Sequence, residues 1–272
     1  MMQKLSSPWS FFTLTFAWTW SLWGLAVLSR RPMGEFPVPL LVALGGVGPM
    51  VAGIAFTYLA RGKEYRREYW KRVFDLKRIG IGWLAVTVMI VPVLTALAVL
   101  PDWLSGGTGF SLESRFQSNL WGILPLAVFT LFFGPIPEEL GWRGFALDGL
   151  QTKYNALGSS LILGVLWTIW HAPLFFIPES YQNGLIFGTI PFWWYMLDKT
   201  FQSILMTWIY NNTGRSTFTA ILFHFMVNFI GELFVLSPRT DFFQIIVWAL
   251  AATVVVLVWK PKTLTRFGEI SA

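Results

Sequence analysis

The sequence predicts an all-α, polytopic transmembrane helix bundle of about eight spans, on three observations. The first is composition: 55% of the 272 residues are apolar and only 12% are charged, where soluble domains carry about a quarter charged. Mean hydropathy is +0.58. The second is a series of apolar stretches, each close to the ~20 residues that cross a bilayer as a helix. The third is the placement of Lys and Arg, which gather on one side of the membrane once those stretches are drawn as spans.

The spans fall at residues 8–29, 38–60, 81–101, 119–136, 159–177, 185–209, 216–236 and 242–259. The first is too long for a signal-peptide core and has no small-residue cleavage site, so it reads as a retained span. The sixth carries Asp198 and Lys199 in its middle. Neither an internal repeat nor a low-complexity linker divides the chain, so residues 1–272 read as a single membrane domain. Sixteen Trp and twenty-five Phe suit a protein with aromatic-rich interfaces. With no Cys, thiolate catalysis, disulfides and Cys-based zinc sites are excluded.

Orientation follows from the connection after the second span, RGKEYRREYWKRVFDLKR, which holds eight basic residues. With that loop in the cytoplasm, eight spans put both termini there too. The inside then collects fifteen Lys and Arg, Lys4 and Arg266 among them, against four outside. The net charge of +6 therefore reflects topology and lipid headgroups rather than nucleic acid, which is not an expected partner.

Against this background a few polar residues stand out, because ionisable groups within spans are costly and usually functional. The chain has two histidines, His171 and His224, and both fall within predicted spans. Each alone reads better as a hydrogen bond to a neighbouring helix. Beside a pair of acids, Glu138 and Glu139, they read as a site. Glu139 and Arg143 are four apart, acid first, the favourable order for a helical ion pair. His224 and Asn228, and likewise Trp167 and His171, share a helix face at the same spacing, with the indole expected to stack on the imidazole. Pro135 and Pro137 predict a break and a new helix start just before the acids. There the dipole favours negative charge. Pairing with Arg143 makes Glu139 the poorer proton acceptor, which leaves Glu138, without an evident local partner, as the better general base. The alternative is that both acids only bond Arg143 and nearby backbone.

The three motifs EELGWR (138–143), WTIWH (167–171) and HFMVN (224–228) together resemble the CAAX protease and bacteriocin-processing family, also called the Abi family. The resemblance covers about residues 119–236 as a catalytic core, with Trp167 where the family usually has Phe. It implies an intramembrane endopeptidase acting on membrane-associated protein or peptide substrates, CAAX-type prenylated ones included; the charge count puts Glu138 towards the cytoplasmic side, where the site would open. Glu138 and His171 would activate water, and His224 and Asn228 would stabilise the oxyanion. Glu139, Arg143 and Trp167 would be supporting residues. No cofactor is expected. The alternative within the resemblance is a metalloprotease-like site in which Glu138, His171 and His224 hold zinc, although no His-Glu-x-x-His run occurs. A separate rival is a transporter that relays protons or substrate through the buried Glu and His. Asp198, Lys199 and Glu232 stay outside the catalytic set, and a water-filled cavity is expected around it.

Overall fold

Apolar segments in lipid must satisfy their backbone internally, and here they do so as helices. The computed structural model describes residues 7–265, so Lys4, Arg266 and both chain ends, with the reading of their side of the membrane, lie outside the described residues. Of the described residues 78% are helical, with almost no sheet. Among the described residues six helical runs are long and apolar enough to cross a membrane: Pro8–Ser29, Val38–Ala60, Ile81–Leu104, Leu120–Gln151, Ala156–Phe176 and Pro238–Trp259. Two further helices, Ile190–Asn212 and Thr217–Leu233, complete the bundle.

Helix α1 (Pro8–Ser29) starts on Ser7, whose Oγ accepts from Trp9 N at 3.3 Å, with Pro8 in its first turn. The second run is two helices, α2 (Val38–Gly46) and α3 (Gly48–Ala60), parted at Val47. Pro49 cannot donate to the turn before it. Carbonyls left open at the end of α2 are taken up by α1: Trp23, Trp18 and Thr19 donate to Val42, Leu44 and Gly45. The basic connection that follows is itself helical, α4 (Lys63–Phe74), and α5 (Ile81–Leu104) spans next.

The run Leu120–Gln151 is built from α6 (Ile123–Phe132), α7 (Pro135–Gly141), a π-helical turn at Trp142–Ala146, and α8 (Leu147–Gln151). The expected break is present, at Gly134. The helix does not end near Ile136, however; it resumes and carries Glu138, Glu139 and Arg143 within the same run. Pro135 and Pro137 sit in the first turn of α7, where a missing N–H costs nothing.

Helix α9 (Ala156–Trp170) ends at His171, two residues before Pro173, and passes into a 3-10 turn at Ala172–Phe176. Helix α10 (Ile190–Asn212) runs unbroken through Asp198 and Lys199. Helix α11 (Thr217–Leu233) stops three residues short of its predicted end. Its continuation is strand β2 (Phe234–Leu236), antiparallel to β1 (Phe110–Leu112), with Phe110 opposite Leu236. Helix α12 (Pro238–Trp259) closes the bundle.

Two packing relations position the site. Helix α9 lies along α10, and α11 touches α5, α6, α7 and α10. Helix α3 crosses α7 at a pair of glycines: a Cβ on Gly141 would overlap the Pro49 backbone, and one on Gly53 would sit 2.8 Å from Leu140 O. Small residues at a crossing let two backbones touch in a membrane protein. Trp142, Trp167, Trp170, Trp248, Phe11 and Phe223 are fully buried in the resulting core.

Candidate active site

The π-helical turn comes first because it aims the acids. Such a turn widens the helix and leaves carbonyls without their usual partners. Here helix α4 supplies donors: Tyr69 Oη donates to Leu140 O at 2.8 Å, and Arg72 Nη2 to Gly144 O at 3.2 Å. Burial pushes the Tyr69 phenol up, so it stays a neutral donor. Burial works against the Arg72 charge, but Tyr210 and Asp148 beside it outweigh that and push its pKa up. Arg72 and Arg215 both pair with Asp148, which also accepts from Tyr210 Oη at 3.0 Å. These contacts lock α4 to the segment that carries the site.

The two adjacent acids have unlike surroundings. Glu139 is sealed, at 0% exposure, between two partners. Arg143 Nη1 lies 3.0 Å from both of its carboxylate oxygens, and His224 Nδ1 lies 2.9 Å from Oε1. Arg143 also reaches Ser203 Oγ on α10 at 3.1 Å. Glu138 keeps 7% exposure and has one hydrogen-bond partner, the Trp167 indole Nε1 at 2.6 Å. The partner that sequence spacing could not supply comes from α9.

Trp167 is the hub. Its ring centre lies 5.1 Å from that of His224 and 6.0 Å from that of His171, both edge-on, so the expected stacking is replaced by edge-to-face contact. Arg143 and Lys199 both lie 5.4 Å from the ring centre. The Trp167 carbonyl is 2.8 Å from His171 Nδ1. A carbonyl can only accept, so Nδ1 carries the proton and Nε2 keeps a lone pair. For His224 the carboxylate of Glu139 is the acceptor, so Nδ1 is again protonated.

Glu138, His171 and His224 are thus gathered around one indole, with Glu139 and Arg143 behind. No hydrogen bond joins Glu138 to His171 directly. Asn228, one turn beyond His224, lies against the break: a Cβ built on Gly134 would be 3.1 Å from its Nδ2. Glu232 is at the far end of α11 in an exposed ion pair with Arg115, 2.7 Å. Lys199, left outside the catalytic set, faces Trp167 and Tyr195. Tyr195 is four residues earlier on α10, a relation that spacing allows to be read, whereas Trp167 comes from α9 and no local spacing reveals it. Among the described residues no three His, Asp or Glu side chains form a group that could hold a metal ion. Cavities of about 480 and 170 Å³ lie at Arg67–Asp75 on α4 and between α10 and α12.

Residues 120–230 match the model of the Rce1-like family, described as type II CAAX prenyl endopeptidase. The chain is 29% identical over 275 residues to the CAAX prenyl protease 2 of Methanococcus maripaludis, covering 96% of this chain and 97% of that one. It is also 27% identical over 141 residues to the lysostaphin resistance protein A of Staphylococcus haemolyticus, covering 50% of this chain and 36% of that one. With its apolar helices, this integral membrane chain is similar across residues 120–230 to the Rce1-like, type II CAAX prenyl endopeptidase family.

Proposed function

We propose that this protein is an intramembrane endopeptidase of the glutamate type that hydrolyses peptide bonds of membrane-associated, CAAX-type prenylated substrates. The observation that carries the reading is the unequal treatment of two neighbouring acids. Glu139 is neutralised by Arg143 and His224, whereas Glu138 has one indole N–H and a remaining oxygen. An enzyme needs one of these carboxylates free to take a proton.

In this reading Glu138 removes a proton from water as the oxygen attacks the scissile carbonyl, and later returns it to the leaving amine. His171 Nε2, its lone pair preserved by the Nδ1 bond to Trp167, accepts a hydrogen bond from the same water. The negative charge that develops on the carbonyl oxygen is met by Asn228 Nδ2 and by His224. Nε2 of His224 becomes a donor only in the imidazolium form, whose charge Glu139 balances. Donors of this kind contribute about 3 kcal/mol each to transition-state stabilisation. The Asn228 side chain, whose backbone lies within α11, makes no hydrogen bond among the described residues, which suits a group reserved for substrate. The charge count of the sequence supports a site that opens to the cytoplasm with both termini on that side.

The test is a reconstituted cleavage assay. Glu138→Gln and His171→Ala should each abolish hydrolysis of a prenylated peptide while the protein still elutes as a folded species. Full activity in either variant would remove that residue from the reaction.

A further inference from the structure

Lys199 brings a positive charge to the same indole that holds Glu138. Its Nζ lies 5.4 Å from the Trp167 ring centre and 5.2 Å from that of Tyr195. The one acceptor in reach is Gln202 Oε1 at 3.4 Å, beyond the usual range for such a bond. The neighbouring carboxylate does not serve it. Asp198 Oδ2 accepts from Gln202 Nε2 at 2.7 Å, Oδ1 is buried without a partner, and no ion pair joins Lys199 to any acid among the described residues. An ammonium has three donors. Midway along α10, one with a single long hydrogen bond and two aromatic faces is set up for an anion that arrives from outside.

We infer that Lys199, framed by Trp167 and Tyr195, binds the C-terminal α-carboxylate of the peptide substrate. This rests on the endopeptidase reading above and adds a recognition element to it. A CAAX peptide ends in a free carboxylate, and any bond cut within that tetrapeptide lies within three residues of it, about 10 Å when extended. Glu138 contacts the indole at Nε1 and Lys199 contacts the face of the same indole. Base and cation are therefore separated by one indole and its two contacts, a span such a segment can bridge. A charge at that spacing lets the enzyme register the chain end and place the scissile carbonyl over Glu138. The rings on either side keep the ammonium from being fully hydrated, which strengthens its preference for an anion over a neutral amide.

The probes are an S-farnesylated tetrapeptide with a free C-terminal carboxylate and its carboxamide twin. Their binding is measured on the Glu138→Gln variant in nanodiscs, and their cleavage on the wild type. The acid should bind about 10- to 100-fold more tightly than the amide, the factor expected for one charge-assisted hydrogen bond. Adding Lys199→Met should bring that ratio close to one, and Lys199→Arg should keep most of it. Equal binding of acid and amide overturns the assignment without needing any Lys199 variant to fold. A Lys199→Met loss that is the same for both peptides also overturns it, because that is what a purely structural lysine gives. Cleavage that depends on Glu138 but ignores the carboxylate sinks only the Lys199 site. An intact acid preference without any Glu138-dependent cleavage leaves the site standing and sinks the reading of the reaction.

Discussion

The indole N–H of Trp167 donates to Oε2 of Glu138 at 2.6 Å, across two helices 29 positions apart in the chain. A phenylalanine ring in that place could not donate, so the hydrogen bond to the acid depends on the indole N–H. Trp167→Phe should keep the ring against His224 and Lys199 and lose only the hydrogen bond. Cleavage should persist, with kcat lowered by about tenfold at most if one positioning bond is all that goes. Trp167→Ala removes a fully buried ring and should cost about 3–5 kcal/mol of stability. Denaturation in detergent and kcat on one prenylated peptide check both. Equal behaviour of the two variants would mean that the ring has no positioning role.

The two acids should separate by assay. Glu139 is enclosed by Arg143 and His224 at 0% exposure, so Glu139→Ala leaves a buried guanidinium uncompensated. Removing one partner of a buried pair typically costs about 3–5 kcal/mol. Glu138→Gln keeps an acceptor for Trp167 and strands no charge, so its stability should lie within about 1 kcal/mol of wild type while activity disappears. Thermal unfolding beside the cleavage assay distinguishes the two. A Glu139→Ala protein as stable as wild type would contradict the ion-pair role.

Helix α4 should matter to activity although it holds no candidate catalytic group. Tyr69 and Arg72 satisfy carbonyls at the widened turn that follows Glu138 and Glu139. Tyr69→Phe leaves Leu140 O with one bond fewer, at about 1–3 kcal/mol for a buried acceptor. Arg72→Met also leaves Asp148 with Arg215 as its one remaining cation, so the larger loss is expected there. Backbone amide exchange over residues 138–148 should rise in both variants. Unchanged exchange would show that the turn does not depend on α4.

How much of this was legible in the sequence depends on the range of the interaction. Helix-local relations were readable: the Glu139–Arg143 pair at four-residue spacing and the chain break ahead of Pro135 are both present. Relations across helices were not. The Glu138–Trp167 bond, the His224–Glu139 bond and the approach of Lys199 to Trp167 span 29, 85 and 32 positions, and no periodicity encodes them. The helix start that the proline pair predicts is present, with both prolines in its first turn. What the sequence did not show is that this new helix continues the same apolar run to Gln151, so the span was drawn to end at 136. The short β1–β2 pairing escaped because three-residue strands carry too little alternation to register against apolar helices.

The last prediction concerns the crossing that fixes the height of α7. A Cβ on Gly141 would run into the backbone of Pro49, which no side-chain rotation can relieve. Gly141→Ala must therefore push α3 and α7 apart, at about 1–3 kcal/mol for a forced shift in a packed interior. The functional cost should exceed the stability cost, because Glu138 sits one turn before Gly141 on the same short helix. A displacement of about 1 Å in a catalytic group can lower the rate by about 100-fold. Gly231 provides the control, since a Cβ there meets nothing within 4 Å and the residue lies in α11. Gly231→Ala should be neutral or gain up to about 1 kcal/mol from helix propensity, with unchanged activity. Gly141→Ala activity matching that of Gly231→Ala would show that the α3–α7 contact does not set the position of the acid.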